Sequence, residues 1–237
     1  MFEAILFDLD GTLLDADMSI FFKHYFQAMG EFAVEKGFGD PEQLVKLVDR
    51  CTWHMIRDHS GEDTNIGTFM ERFLDQWTCT EEQANDFFNE FYEVKFPLLE
   101  RHCRAFPGMK EMMARLCRHK QQIVIATQPI FPIWPIQCRL NWAEVGDFPY
   151  ALITSGEHMH YCKPAVEYYA EIVERIGANP AKCLMVGNDT NSDLAAGELG
   201  MKTFLLEERL IDQGDNSYLP DWRGKLPDLY GFMEEIF

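Results

Sequence analysis

Two aspartates one residue apart close an apolar run near the amino terminus: Ile5-Leu6-Phe7-Asp8-Leu9-Asp10-Gly11-Thr12-Leu13-Leu14-Asp15. The apolar part reads as a buried strand, and Gly11 permits a sharp exit from it. Along a strand, side chains i and i+2 share a face. A strand continued through the motif would point Asp8 and Asp10 the same way. Two anions that close repel unless a cation or a shared proton compensates them. The spacing therefore asks for a divalent metal, and a hard ion with oxygen ligands, Mg2+, fits best. The same residues could instead form an Asp-x-Asp-Gly turn or a loop calcium site, since Asp and Gly are turn residues. An EF-hand does not fit, because the Thr-Leu-Leu-Asp-Ala-Asp after Gly11 lacks the required acidic positions and closing Glu.

The elements that must position such a pair fall into two textures. Residues 1–15 and 106–237 alternate short apolar runs with helical segments, whereas 16–105 read as purely helical and rich in aromatics. The candidate strands are 4–8, 122–127, 151–154, 183–187 and 202–206, almost uniformly apolar, as strands covered on both faces should be. Candidate helices lie between them at 108–119, at 164–176 with Pro164 in the first turn and Gly177 as the stop, and at about 191–199. Strands alternating with helices predict a doubly wound, mostly parallel, Rossmann-like α/β sheet. The segment 207–228 reads as loop, and Leu229–Phe237 as a short helix. Inside the helical block, 18–36, 41–58, 66–77 and 81–95 carry apolar faces. Asp40-Pro41-Glu42-Gln43 and Thr80-Glu81-Glu82-Gln83 read as capping boxes. The stripe Phe87, Phe88, Phe91 and Tyr92 reads as core, because aromatics supply so much buried area.

In doubly wound sheets, ligands sit beyond the carboxyl ends of the strands. The polar residues there are Asp8 and Asp10, then Thr127-Gln128, then Cys162-Lys163-Pro164 after the next strand, then Gly187-Asn188-Asp189 with Asp193. Each type has a task in phosphoryl transfer. An aspartate can attack phosphorus and carry it as an aspartyl-phosphate. A second carboxylate can protonate the leaving oxygen and then activate water. A metal, a lysine and a hydroxyl can hold the oxygens over which charge spreads.

With these four pieces in order, the chain resembles the haloacid-dehalogenase-like (HAD-like) superfamily of hydrolases, in the branch with a helical cap inserted after the first motif. Asp8-Leu9-Asp10-Gly11-Thr12 resembles the first motif, Thr127 the second, Lys163 the third and Gly187 to Asp193 the fourth. The resemblance implies an α/β core over 1–15 and 106–237 and a helical cap over 16–105. It implies that Asp8 is the nucleophile and a Mg2+ ligand, and that Asp10 is the general acid and base, with its carbonyl on the metal. Thr127 and Lys163 would bind the phosphoryl group, and Lys163 would also screen Asp8. Two departures stand out. Asn188 occupies the place where Asp is usual, so Asn188 and Asp189 both remain candidates for the metal, with Asp193 as ligand or supporting residue. Gln128 replaces the more familiar Asn and is a candidate for substrate or loop contact.

The remaining composition narrows the classes. With 21 Lys and Arg against 39 Asp and Glu, the net charge is −18, which argues against nucleic acid or an acidic membrane surface as partner. An anionic substrate then needs local positive charge or a metal. The seven cysteines form no Cys-x-x-Cys pair and read as reduced thiols of a cytoplasmic protein. No signal peptide or transmembrane run is visible. Monomer and homodimer both remain open.

The expected activity is a Mg2+-dependent phosphatase acting on a small phosphorylated metabolite. A phosphomutase, a phosphonate hydrolase using a cap lysine (Lys23, Lys36, Lys46 or Lys95), and a catalytically weak binding or regulatory protein are the alternatives. Dehalogenation is disfavoured, since those relatives lack the second aspartate that Asp10 supplies. Candidates for specificity are Lys23, His24, Arg50, His54, Arg57 and His59 in the cap, His158 and His160 before Lys163, and the aromatics of Pro129-Ile130-Phe131-Pro132-Ile133-Trp134-Pro135.

Overall fold

Strand β1 (Ala4–Phe7) is buried on both faces and carries the first motif at its carboxyl end. The other strands are β2 (Leu14–Ala16), β3 (Cys103–Ala105), β4 (Gln122–Ile125), β5 (Leu152–Ile153), β6 (Cys183–Gly187), β7 (Lys202–Leu206) and β8 (Trp222–Gly224). Six of them form one sheet in the order β5-β4-β1-β6-β7-β8, with every neighbouring pair parallel. This is a computed structural model, and it describes residues 2–212, 214 and 218–236. Positions 213, 215–217 and 237 of the expected tail and last helix lie outside the described residues.

The period of two along β1 divides its side chains between two apolar clusters. Ile5 and Phe7 pack with α5 (Met109–Leu116), α6 (Ile133–Trp142) and α8 (Leu226–Ile236) on one face. Ala4 and Leu6 pack with α7 (Val166–Ile176) and the 3-10 turn Leu194–Leu199 on the other. Helices on both faces explain why these strands are apolar throughout.

Between β2 and β3 the chain leaves the sheet as α1 (Met18–Lys36), α2 (Pro41–Arg57), α3 (Asn65–Leu74) and α4 (Glu81–Val94), and returns through a 3-10 helix, Phe96–His102. β2 and β3 pair antiparallel, so the two connecting strands brace each other. Thr80 forms both halves of its capping box, whereas Asp40 makes only the bond from Gln43 N. Phe87 and Phe91 of the aromatic stripe pack on Phe32.

Several elements differ from the sequence expectation, α7 among them, which begins at Val166 and leaves Pro164 ahead of it. The β2–β3 ribbon and strand β8 are three residues each, too short for a periodic signal. Helix α6 starts at Ile133 and absorbs the proline-rich segment, with Pro135 in its first turn, where a missing N–H costs nothing. The expected helix at 191–199 is the 3-10 turn. Truncating the centre of the sheet tests this packing: Leu6→Ala is expected to lower the unfolding free energy by about 2–5 kcal/mol, read from urea unfolding.

Candidate active site

β1 stops at Phe7, so Asp8 and Asp10 stand just beyond the strand instead of on it. Asp8 N donates to Val186 O at 2.9 Å, which ties the first aspartate to β6. Gly11 turns the chain with φ of +89°, and a Cβ there would come within 2.4 Å of Asn188 Nδ2. Glycine is therefore required by both backbone and space. The two carboxylates nevertheless line one cavity of about 220 Å³, together with Thr127, Gln128, Lys163, Asn188, Asp189 and Asp193.

The centre of the site is the Lys163 ammonium, 2 % exposed. It donates to Asp8 Oδ1 at 2.9 Å and to Asp193 Oδ1 at 2.6 Å. Burial pulls the lysine toward neutrality, but Asp193 and Asp8 outweigh it and hold the ammonium well above its ordinary range. Burial is also the main influence on Asp8. Together with Asp193 and Asp10 it pushes that carboxyl up to about 7, against the pull of Lys163. Asp193 Oδ2 accepts from the N–H groups of Asn188 (2.9 Å) and Asp189 (3.0 Å). A Cβ on Gly187 would sit 2.1 Å from that oxygen. Asp193, expected near the metal, thus has both oxygens engaged in holding Lys163 and the loop.

Asn188 and Asp189 part company here. Thr12 Oγ1 lies 3.3 Å from Asp8 Oδ2 and 3.1 Å from Asn188 Oδ1, so the amide oxygen faces the first motif. Asn188 Nδ2 donates to Arg209 O at 2.6 Å, which orients the amide. Asp189 Oδ1 instead accepts from Asn191 N and Ser192 N, closing a turn. The Thr127 carbonyl is held by Thr154 Oγ1 and Tyr168 OH, while the hydroxyl of this buried residue makes no hydrogen bond among the described residues. Gln128 spends both ends on the Lys163 backbone: its Nε2 donates to Lys163 O at 3.0 Å and its Oε1 accepts from Lys163 N at 2.8 Å. It positions the lysine and does not reach into the cavity as a free group.

One residue escaped the sequence reading. Arg139 of α6 is 1 % exposed and its guanidinium pairs with Asp10 Oδ2. It also lies 4.7 Å above the Phe131 ring, and its Nη2 is buried without a partner. Burial raises the Asp10 carboxyl above its ordinary value, and Arg139 opposes that rise. The signal was present: a lone charge within the apolar face of Ile133–Trp142 must find a partner. The partner's identity was not visible locally.

Other candidates fall away. His158 is exposed and His160 pairs with Glu171, and neither lines the cavity. Of the cap groups, His24 stacks on His102 at 3.8 Å and Arg57 on Trp53 at 5.3 Å. None of Lys23, His24, Arg50, His54, Arg57 or His59 lines the site. Trp134 is 52 % exposed, and Ile130 and Phe131 supply the apolar lining instead.

The site's charge bears on a metal. Four aspartates face one lysine and one arginine around the cavity, and Asp10 Oδ1 is buried without a hydrogen-bond partner. Among the described residues, no cluster of three or more His, Cys, Asp and Glu is arranged to hold a metal. A hard divalent ion that keeps several waters needs fewer carboxylates and accepts amide and carbonyl oxygen. The donor set and the uncompensated negative charge fit such an ion.

Comparison with known proteins places the chain. The family model for haloacid dehalogenase-like hydrolases matches residues 2–200. The chain is 26% identical over 226 residues to the glyceraldehyde 3-phosphate phosphatase of Methanothermobacter thermautotrophicus, covering 90% of this chain and 88% of that one. It is 24% identical over 228 residues to the N-acetylmuramic acid 6-phosphate phosphatase of Pseudomonas aeruginosa, covering 90% and 85%. In structure it is similar to the 2-haloacid dehalogenase of Pseudomonas syringae pv. Tomato, with a TM-score of 0.65, 17% identity and full coverage of both chains. The chain belongs to the haloacid dehalogenase-like hydrolases.

Removing the central cation tests the electrostatic account. Lys163→Met leaves two buried carboxylates unpaired and is expected to cost about 3–5 kcal/mol of stability. Without its cation Asp8 rises further, and a raised folded-state pKa stabilises at low pH and is lost as pH climbs through it. The deficit in urea unfolding should therefore be full at ~pH 7.5 and smaller at ~pH 5.

Proposed function

We propose that this hydrolase is a phosphatase that cleaves the phosphate monoester of a small molecule through an aspartyl-phosphate on Asp8. Residues 16–105 would act as the cap over a core of 1–15 and 106–237. The observation that carries this reading is the convergence of Asp8, Asp10, Thr127 and Lys163 on one cavity. The similarity to two phosphatases supports it.

In the first step an Asp8 carboxylate oxygen attacks phosphorus and the ester P–O bond breaks. The departing alkoxide takes its proton from Asp10. Arg139 engages Asp10 Oδ2, which leaves the unpartnered Oδ1 as the oxygen to carry that proton. In the second step Asp10 takes a proton from water, the water oxygen attacks phosphorus, and phosphate leaves Asp8 regenerated. Lys163 and the unengaged Thr127 hydroxyl hold phosphoryl oxygens through both steps. Mg2+ would be held by the Asp8 carboxylate, the Asp10 carbonyl and the Asn188 amide oxygen, and when bound it screens the charge between Asp8 and the phosphoryl group.

One observation and one chemical argument weigh against phosphonate hydrolysis and dehalogenation. Lys36, Lys46 and Lys95 pair with glutamates and no cap lysine lines the site, which removes an imine-forming candidate. A halide departs without a proton, so dehalogenation would leave Asp10 no task. The seven free cysteines support a reducing, cytoplasmic setting.

Phosphate release from an aryl phosphate should be abolished by Asp8→Asn and by chelation, with Mg2+ restoring the chelated enzyme. Full activity in either condition defeats the reading. Asp10→Asn should lower kcat by roughly 10²–10⁴-fold for an alkyl phosphate, with a smaller loss for a leaving group that needs no proton.

A further inference from the structure

A second cavity, of about 230 Å³, adjoins the first among helices α1 to α4 and the loop after β4. The two share Phe22, Ile130 and Phe131 as walls, and the Phe22 and Phe131 rings stack at 6.2 Å. The charge differs sharply between the two cavities. The first cavity carries Lys163 and Arg139, whereas no Lys, Arg or His lines the second. Its lining is dominated by aromatic rings, and its one charged residue is Glu157, anchored by Ile133 N on Oε2 at 2.8 Å. Asn85 and Asn89, one turn apart on α4, line it with side-chain amides that make no hydrogen bond among the described residues.

We propose that this second cavity receives the alcohol portion of the substrate, and that this portion is apolar or aromatic and carries no negative charge. The inference rests on the phosphatase reading of the first cavity. The cations there match the phosphoryl group. A carboxylate or second phosphate on the other end of the substrate would meet Glu157 among apolar walls with no cation to pair it, an unfavourable burial of charge. Aromatic walls favour a flat or apolar body. The two free amides can bond hydroxyl or carbonyl groups on it.

The test uses the full-length protein with Mg2+ and measures phosphate release from benzyl phosphate, 4-carboxybenzyl phosphate and acetyl phosphate. The two benzyl esters have leaving alcohols of similar basicity and differ in one remote charge. Benzyl phosphate is expected to exceed its carboxylated analogue in kcat/KM by about tenfold or more, as like-charge juxtaposition at a recognition surface requires. Glu157→Gln should narrow that gap by raising the carboxylated ester. Thr52→Trp, which fills the cavity, should lower the benzyl-to-acetyl ratio of kcat/KM by about tenfold. Equal rates for the two benzyl esters, or a ratio unmoved by Thr52→Trp in a variant that unfolds normally, would overturn the inference while leaving the phosphatase reading intact. No phosphate release from any of the three would overturn that reading and this one with it.

Discussion

A single buried ammonium holds the site together. Lys163 joins the end of β1, through Asp8, to the loop after β6, through Asp193, across bonds of 2.9 and 2.6 Å. Neither carboxylate could stay buried and ionised alone, because transfer from water costs several kcal/mol per ion. The remaining contacts exist around this one. Gln128 fixes the lysine backbone at both its N–H and its carbonyl. Asp193 turns its second oxygen to two backbone N–H groups and so sets the loop that carries Asn188. Sequence separations of 155 and 30 residues are closed by these two bonds, and the parallel sheet brings their ends within reach.

Arg139 is the counterpart on the other side of the cavity. It neutralises one oxygen of Asp10 and leaves the other unpartnered, which gives two neighbouring aspartates different surroundings. Asp8 faces an ammonium and a hydroxyl, whereas Asp10 faces a guanidinium braced on an aromatic ring. In the proposed reaction, such different environments would let one residue type serve as both nucleophile and proton carrier. The cations remain outnumbered by carboxylates, and a hard divalent ion is the simplest compensation.

The helical insertion brings no cation of its own to the cavities. Its basic groups stack on rings, pair with glutamates or face outward. What it contributes is aromatic surface: Phe22 of α1 and the rings behind it. Positive charge is thus concentrated at the sheet, and apolar area at the insertion. A protein of net charge −18 can accept a phosphate ester under these conditions, since attraction is local to the strand ends.

Much of this was legible in the residues alone, for a physical reason. Strands covered on both faces must be continuous apolar runs, so β1, β4, β6 and β7 announce themselves, and the polar residues ending them mark the rim of the sheet. Helix caps and periodic faces are local too, which is why α1, α2 and α4 were legible. Only the tertiary structure decided who meets whom. The Asp10–Arg139 pair spans 129 residues, and nothing in either segment names the other. Asp193 could offer its carboxylate to a metal or to a lysine, and in this structure its partners are Lys163 and two loop N–H groups. Asn188 faces Asp8 and Asp189 closes a turn, although they are adjacent in sequence. Phe131 lines both cavities while Trp134 points away, because α6 begins between them and its rotation sets their directions. Local patterns determine elements. Partners are determined by packing, which depends on every element at once.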